Sequence, residues 1–155
     1  MSNAAARLKS LSITLPTPVA AVANYVPYVL QGDMLVISGQ ITIENGEKKF
    51  IGRLGENISL EDGQKAARLC AINIIAQINA ALNGDLGRVA RIVRLGVFVN
   101  ATSNFTDQSL VANGASDLMV EIFGDVGRHA RAAVGVASLP GGVAVEVEAI
   151  VAVKP

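Results

Sequence analysis

The stretch Arg131-Ala-Ala-Val-Gly-Val-Ala-Ser-Leu-Pro-Gly-Gly-Val-Ala-Val-Glu-Val-Glu-Ala-Ile150 decides how this chain is read. Two runs rich in Val and Ala flank a Leu-Pro-Gly-Gly segment, the pattern of strands joined by a turn. An arginine opens the first run, and Glu146 and Glu148 sit inside the second. Charges in an apolar strand are costly to bury unless they are paired or used in chemistry. The segment is therefore expected to form a β-hairpin carrying one cation and two anions. An even-numbered loop pairs Ser138 with Val143 and sets Gly135 opposite Glu146. Because side chains alternate along a strand, Arg131, Ala133 and Gly135 then share a face with Glu146 and Glu148. Arg131 and Glu146 would stand roughly 13 Å apart between backbones, a gap fit for a small molecule. An odd-numbered loop reverses this parity.

Upstream, the clearest helix starts after Ser59. Leu60-Glu61-Asp62 follow it as a near capping box with acids in the first turn. Ala67, Ala71, Ile74, Ile75, Ile78 and Leu82 recur at helical spacing, and Asn83-Gly84 stops the helix. A second helix opens at Asp107 or Ser109, with a stripe of Leu110, Ala115, Leu118, Met119 and Ile122, and closes at Gly124 and Gly127. Asn3 or Ser2 can cap a short helix reaching about Leu11, before Pro16 and Pro18. Strands are expected over residues 26–30, 34–41 and 92–100, with Gln31-Gly32-Asp33 and Asn45-Gly46 as turns and Phe50-Ile51 as a further short strand. Helices covering one face of a mixed sheet make an α+β fold and leave the other face for a partner.

The chain has 155 residues, 51% hydrophobic and 17% charged, with mean hydropathy +0.44. No apolar run reaches the roughly 18 residues of a membrane span. The surplus suits an oligomer interface, which resembles a core cut in half. Lys+Arg equals Asp+Glu, and aromatics make up 4%. Both facts argue against a nucleic-acid partner. The single cysteine, Cys70, excludes an internal disulfide and reads as a small buried hydrophobe of a cytoplasmic protein. The N-terminus lacks a signal-peptide core. His129, beside Arg128 and near Arg131, has no Cys or His companions for a metal; it is either a surface loop residue or a ligand contact or proton shuttle.

Four segments, in order, carry a resemblance. They are Tyr25-Val26, Ser38-Gly39-Gln40-Ile41, Val97-Phe98-Val99, and the run from Arg131 to Ile150 with its Arg-x-x-Val-x-Val-x-x-Leu-Pro and Glu-x-Glu-Ala-Ile elements. Together, over roughly residues 25–153, they resemble the RidA family, also called YjgF or L-PSP.

The resemblance implies a chorismate-mutase-like mixed sheet with two main helices on one face. Residues 1–155 would form one such domain, with 1–24 an N-terminal extension carrying the short helix. Three subunits would close into a barrel with clefts at their interfaces. The implied activity is hydrolytic deamination of enamine and imine intermediates such as 2-aminoacrylate, of the 2-iminobutanoate/2-iminopropanoate deaminase type, without metal or organic cofactor. Carried over by position, Arg131 grips a substrate carboxylate, for which a planar fork is suited. Glu146 places the attacking water. Tyr25 lines the cleft, Gly39 permits close approach, and Ser38 and Ala133 complete the binding residues. Each has a plainer reading: Arg131 as an interface ion pair, Glu146 as partner of a buried arginine, Gly39 as a bulge, Ser38 as a strand-end hydrogen bonder. Ala133 replaces the family's usual cysteine, which acts mainly through its backbone. The stretch from Val111 to Asp117 matches the family's helix start only loosely, so Asn113 is left unassigned. A long segment at 42–58 marks a divergent branch.

Three functions compete at this level. They are an enamine/imine hydrolase, a non-catalytic trimer binding small carboxylates as sensor or interaction protein, and, third, the endoribonuclease or translation-inhibitor role attached to some relatives.

Overall fold

The computed structural model describes residues 3–18 and 20–155. Helix α2 (Leu60–Ala81) forms where cap and stripe predict it. The Asp62 amide donates to the Ser59 hydroxyl at 3.1 Å, satisfying one of the donors a helix start leaves open. Ala67, Ala71, Ile74, Ile75, Ile78 and Leu82 are all buried. Each large one contributes roughly 1.5–3 kcal/mol by leaving water. Asn83 and Gly84 then turn the chain at φ of 52° and 87°.

The short helix α1 (Asn3–Ser10) buries Ala4 and Leu8, and its other expected cap, Ser2, lies outside the described residues. Strands β1 (Tyr28–Gln31) and β2 (Met34–Ile41) form a hairpin with Gln31 opposite Met34. β3 (Ile43–Glu44) and β4 (Glu47–Lys48) close over Asn45-Gly46, both at the positive φ such a two-residue turn requires. Phe50-Ile51 forms no strand; Ile51 makes a single bridge to Val143.

The long strand β5 (Val89–Asn100) precedes helix α3 (Gln108–Phe123), which α1 packs against. The inward side of α3 is Val111, Ala112, Ala115, Leu118, Met119, Ile122 and Phe123. Leu110, expected in this stripe, is exposed, because the buried arc is centred one position later at 111, 115, 118 and 122. Strands β6 (Ala130–Val136) and β7 (Val145–Val153) end the chain.

The main sheet has the order β1-β2-β7-β5-β6 and is antiparallel except between β5 and β6. α2 packs on β2 and β7, and α3 on β5 and β6. Cys70 is free and buried, its thiol donating to the Val145 carbonyl at 3.4 Å, and burial pushes its pKa up. Among the described residues no helix is long and apolar enough to cross a membrane.

The expected hairpin between residues 131 and 150 does not form. β5 lies between β6 and β7, and a short 3₁₀ turn (Pro140–Gly142) carries the chain past its end. Ser138 therefore does not pair with Val143, nor Gly135 with Glu146. Pro and Gly dictate a reversal of direction; the hydrogen-bond ladder chooses the neighbour. β5 pairs with both strands and wins that place.

The register across the three strands then sets the faces. Rows Ala149–Leu95–Arg131, Val147–Val97–Ala133 and Val145–Val99–Gly135 share one face, and Leu95, Val97 and Val99 are buried beneath the helices. The row Glu146–Phe98–Val134 belongs to the other. Arg131 and Glu146 of one chain thus point to opposite sides of the sheet, which overturns the shared-face expectation.

Candidate functional site

The residues singled out from sequence fall into two clusters. The first surrounds a bulge in β2. Its register against β7 shifts between Ile37 and Gln40, leaving Ser38 and Gly39 out of the ladder. The Ser38 hydroxyl donates to the Val26 carbonyl at 2.8 Å, and the Ser38 amide to the Pro27 carbonyl at 2.9 Å. These bonds tie the Tyr25–Pro27 segment to the bulge. Gly39 is needed for space. A Cβ there would overlap Oε1 of Glu146, so the carboxylate rests directly on the backbone.

Tyr25 is exposed and, with Pro27, Ser38 and Gly39, lines a cleft of about 170 Å³. Asn73 of α2 closes the cleft's end, its amide donating to the carbonyls of Ile41 and Ile43 at 3.1 and 3.0 Å.

Glu146 is half-buried and has no hydrogen-bond or ion-pair partner among the described residues. Burial first, and the charge of Glu148 second, raise its pKa above the ordinary carboxylate value. The cation on this face goes elsewhere: Arg94 pairs with Glu148 at 3.3 Å. Glu146 is therefore not the partner of a buried arginine within its own chain.

The second cluster lies on the helix side, at the sheet edge formed by β6. The Arg131 guanidinium donates from Nη1 to Oδ1 of Asn113 at 2.9 Å and to Oγ of Ser116 at 3.1 Å, and from Nη2 to the Ser109 carbonyl at 3.2 Å. All three acceptors are uncharged. No carboxylate pairs with Arg131 among the described residues, so its charge stays available to an anion. Ser116 also meets Nε2 of His129 at 2.9 Å, and Nδ1 of His129 meets the Gly127 carbonyl at 2.7 Å. Beyond half-buried Ala133, Gly135 floors a cleft of about 370 Å³ that Arg53 and Gln108 also line.

From sequence, Asn113 is left unassigned, Ser109 stands only as a possible helix start, and Ser116 has no role. Two of them left a signal: Asn113 and Ser116 fall at i and i+3, polar side chains on a helix that is otherwise apolar inward, whereas Ser109 contributes only its backbone carbonyl.

The geometry has a matching context among known proteins. The family described as "YjgF/chorismate mutase-like, putative endoribonuclease" matches residues 5–147. The chain belongs to the RidA/YjgF/L-PSP superfamily. It is 53% identical over 148 residues to Protein TCP17 of Trypanosoma cruzi, covering 95% of this chain and 92% of that protein. A crystal structure of an Agrobacterium tumefaciens protein of unknown function is 46% identical, with a TM-score of 0.93 over 98% of this chain and 93% of that one. The structure of TdcF from E. coli with bound serine is 29% identical, with a TM-score of 0.64 over 90% and 94% of the two chains. The sheet and its two helices are thus the chorismate-mutase-like arrangement of the RidA superfamily.

Proposed function

We propose that the chain is a RidA-type hydrolase of small enamine or imine acids, with a site built from two protomers. Arg131 and Ala133 of one protomer would meet Glu146, Gly39, Ser38 and Tyr25 of its neighbour. The carrying observation is that Arg131 and Glu146 both lack an oppositely charged partner among the described residues and lie on opposite sides of one sheet. One chain cannot join them; a second copy set against the β6 edge can.

The open face supports such packing, since Val29 and Val36 on it and Val134 on β6 are each about half exposed. That TdcF holds a serine supports a ligand bearing a small carboxylate. In the proposed reaction Arg131 holds the carboxylate of the imine. Glu146 takes a proton from water as its oxygen bonds to the imine carbon, then returns it to nitrogen. The new hydroxyl then gives its proton, through Glu146, to the amino nitrogen as the C–N bond breaks, leaving a 2-oxo acid and ammonia. A carboxylate of raised pKa suits both transfers.

The test generates 2-aminoacrylate with a dehydratase and follows 2-oxo acid release. Arg131→Ala and Glu146→Gln should each abolish the acceleration. Mixing the two variants under conditions of subunit exchange should restore part of it, because some interfaces then carry both intact halves. No recovery on mixing would reject the shared site. Carboxylate binding without turnover in the wild type would make the protein a binder instead.

A further inference from the structure

We infer that His129, acting through Ser116, is a positioning residue for Arg131. This rests on the reading of Arg131 as the carboxylate anchor. His129 directly precedes β6, and strand alternation turns it, with Arg131, toward α3. The Gly127 carbonyl can only accept, so the bond at 2.7 Å puts the ring proton on Nδ1. In the Nδ1–H tautomer Nε2 is an acceptor, and in the proposed relay the Ser116 hydroxyl donates to it across 2.9 Å. With its proton committed, Ser116 presents its lone pairs to Nη1 of Arg131 at 3.1 Å.

Every donor in this chain points one way, from Arg131 to Ser116 to His129, while Nδ1–H is anchored on Gly127. Without an acceptor at Nε2, a helical serine turns its hydroxyl back to the carbonyl one turn earlier. Its lone pairs then leave the guanidinium. Arg131 carries a long stem with several rotamers, and a guanidinium held in place before binding loses less freedom when a carboxylate arrives. Asn113 shares Nη1 with Ser116 and the Ser109 carbonyl holds Nη2, so Ser116 sets the tilt of the fork rather than its presence.

Two substitutions separate relay from scaffold. His129→Asn keeps a group near Nδ1 for Gly127 but nothing at Nε2; His129→Gln places an amide oxygen where Nε2 was. The readout is the Kd of 2-oxobutanoate for the full-length assembled protein. His129→Asn and Ser116→Ala should weaken binding about three- to tenfold, the worth of one hydrogen bond. His129→Gln should stay within about twofold of wild type, and Ser116→Ala should add nothing in an Arg131→Ala background. In wild-type protein, nitrogen-15 NMR should find the His129 ring proton on Nδ1, with Nε2 accepting.

Wild-type affinity in His129→Asn and Ser116→Ala, alongside clear weakening by Arg131→Ala, overturns the relay and leaves the anchor standing. Unchanged affinity in Arg131→Ala overturns both. A proton on Nε2 also overturns the relay, and needs no variant to fold.

Discussion

The carboxylate of Glu146 rests on the backbone of Gly39, with Oε1 in the space a Cβ would occupy. Gly39 keeps a backbone conformation open to any residue, so an added methyl group meets only the end of a flexible side chain. Gly39→Ala should therefore cost little stability, about 1 kcal/mol. It should displace Glu146 and lower turnover at least tenfold. Denaturant titration beside the 2-aminoacrylate assay checks both halves of this outcome.

Gly114 responds to the same substitution in the opposite sense. A Cβ there would overlap the Gln64 carbonyl of α2, a backbone atom that cannot swing away. Helices α2 and α3 would have to separate. Gly114→Ala should cost about 2–3 kcal/mol, as overpacking does, and calorimetry should show it directly.

Glu146 also makes stability depend on pH. Its native pKa lies above the ordinary 4.5, so the folded protein binds more protons than the unfolded chain between those two values. Its contribution is full below the ordinary value and is lost as pH rises through the raised one. Glu146→Gln removes that slope. The variant should match or exceed wild-type stability near neutrality and lose its advantage toward pH 4.5, as Tm measured across this range will show.

Val134 occupies the helix-free face of edge strand β6 and is 47% exposed. An aspartate there would carry a charge into the proposed subunit contact, where burying it unpaired is costly. Val134→Asp should yield monomers by light scattering and abolish turnover, while circular dichroism keeps the wild-type spectrum. Oligomers that persist with full activity would place the contact elsewhere.

Local chemistry was legible in the residues alone. Ser59, the spacing from Ala67 to Leu82 and the Asn83-Gly84 stop specify α2, because cap, stripe and terminator act within a few turns of one another. Asn45-Gly46 likewise dictates its own two-residue turn. The C-terminal run predicted two strands and a reversal, and both exist. What it did not contain was the strand inserted between them. β5 lies more than thirty residues upstream, and only its simultaneous pairing with β6 and β7 settles that Arg131 faces α3 while Glu146 faces away. Turn residues act on a handful of neighbouring dihedral angles, whereas side-chain faces follow from ladders closed across the whole fold. For the same reason Asn113, Ser116 and His129 become one network around Arg131 only after α3 has docked on β6.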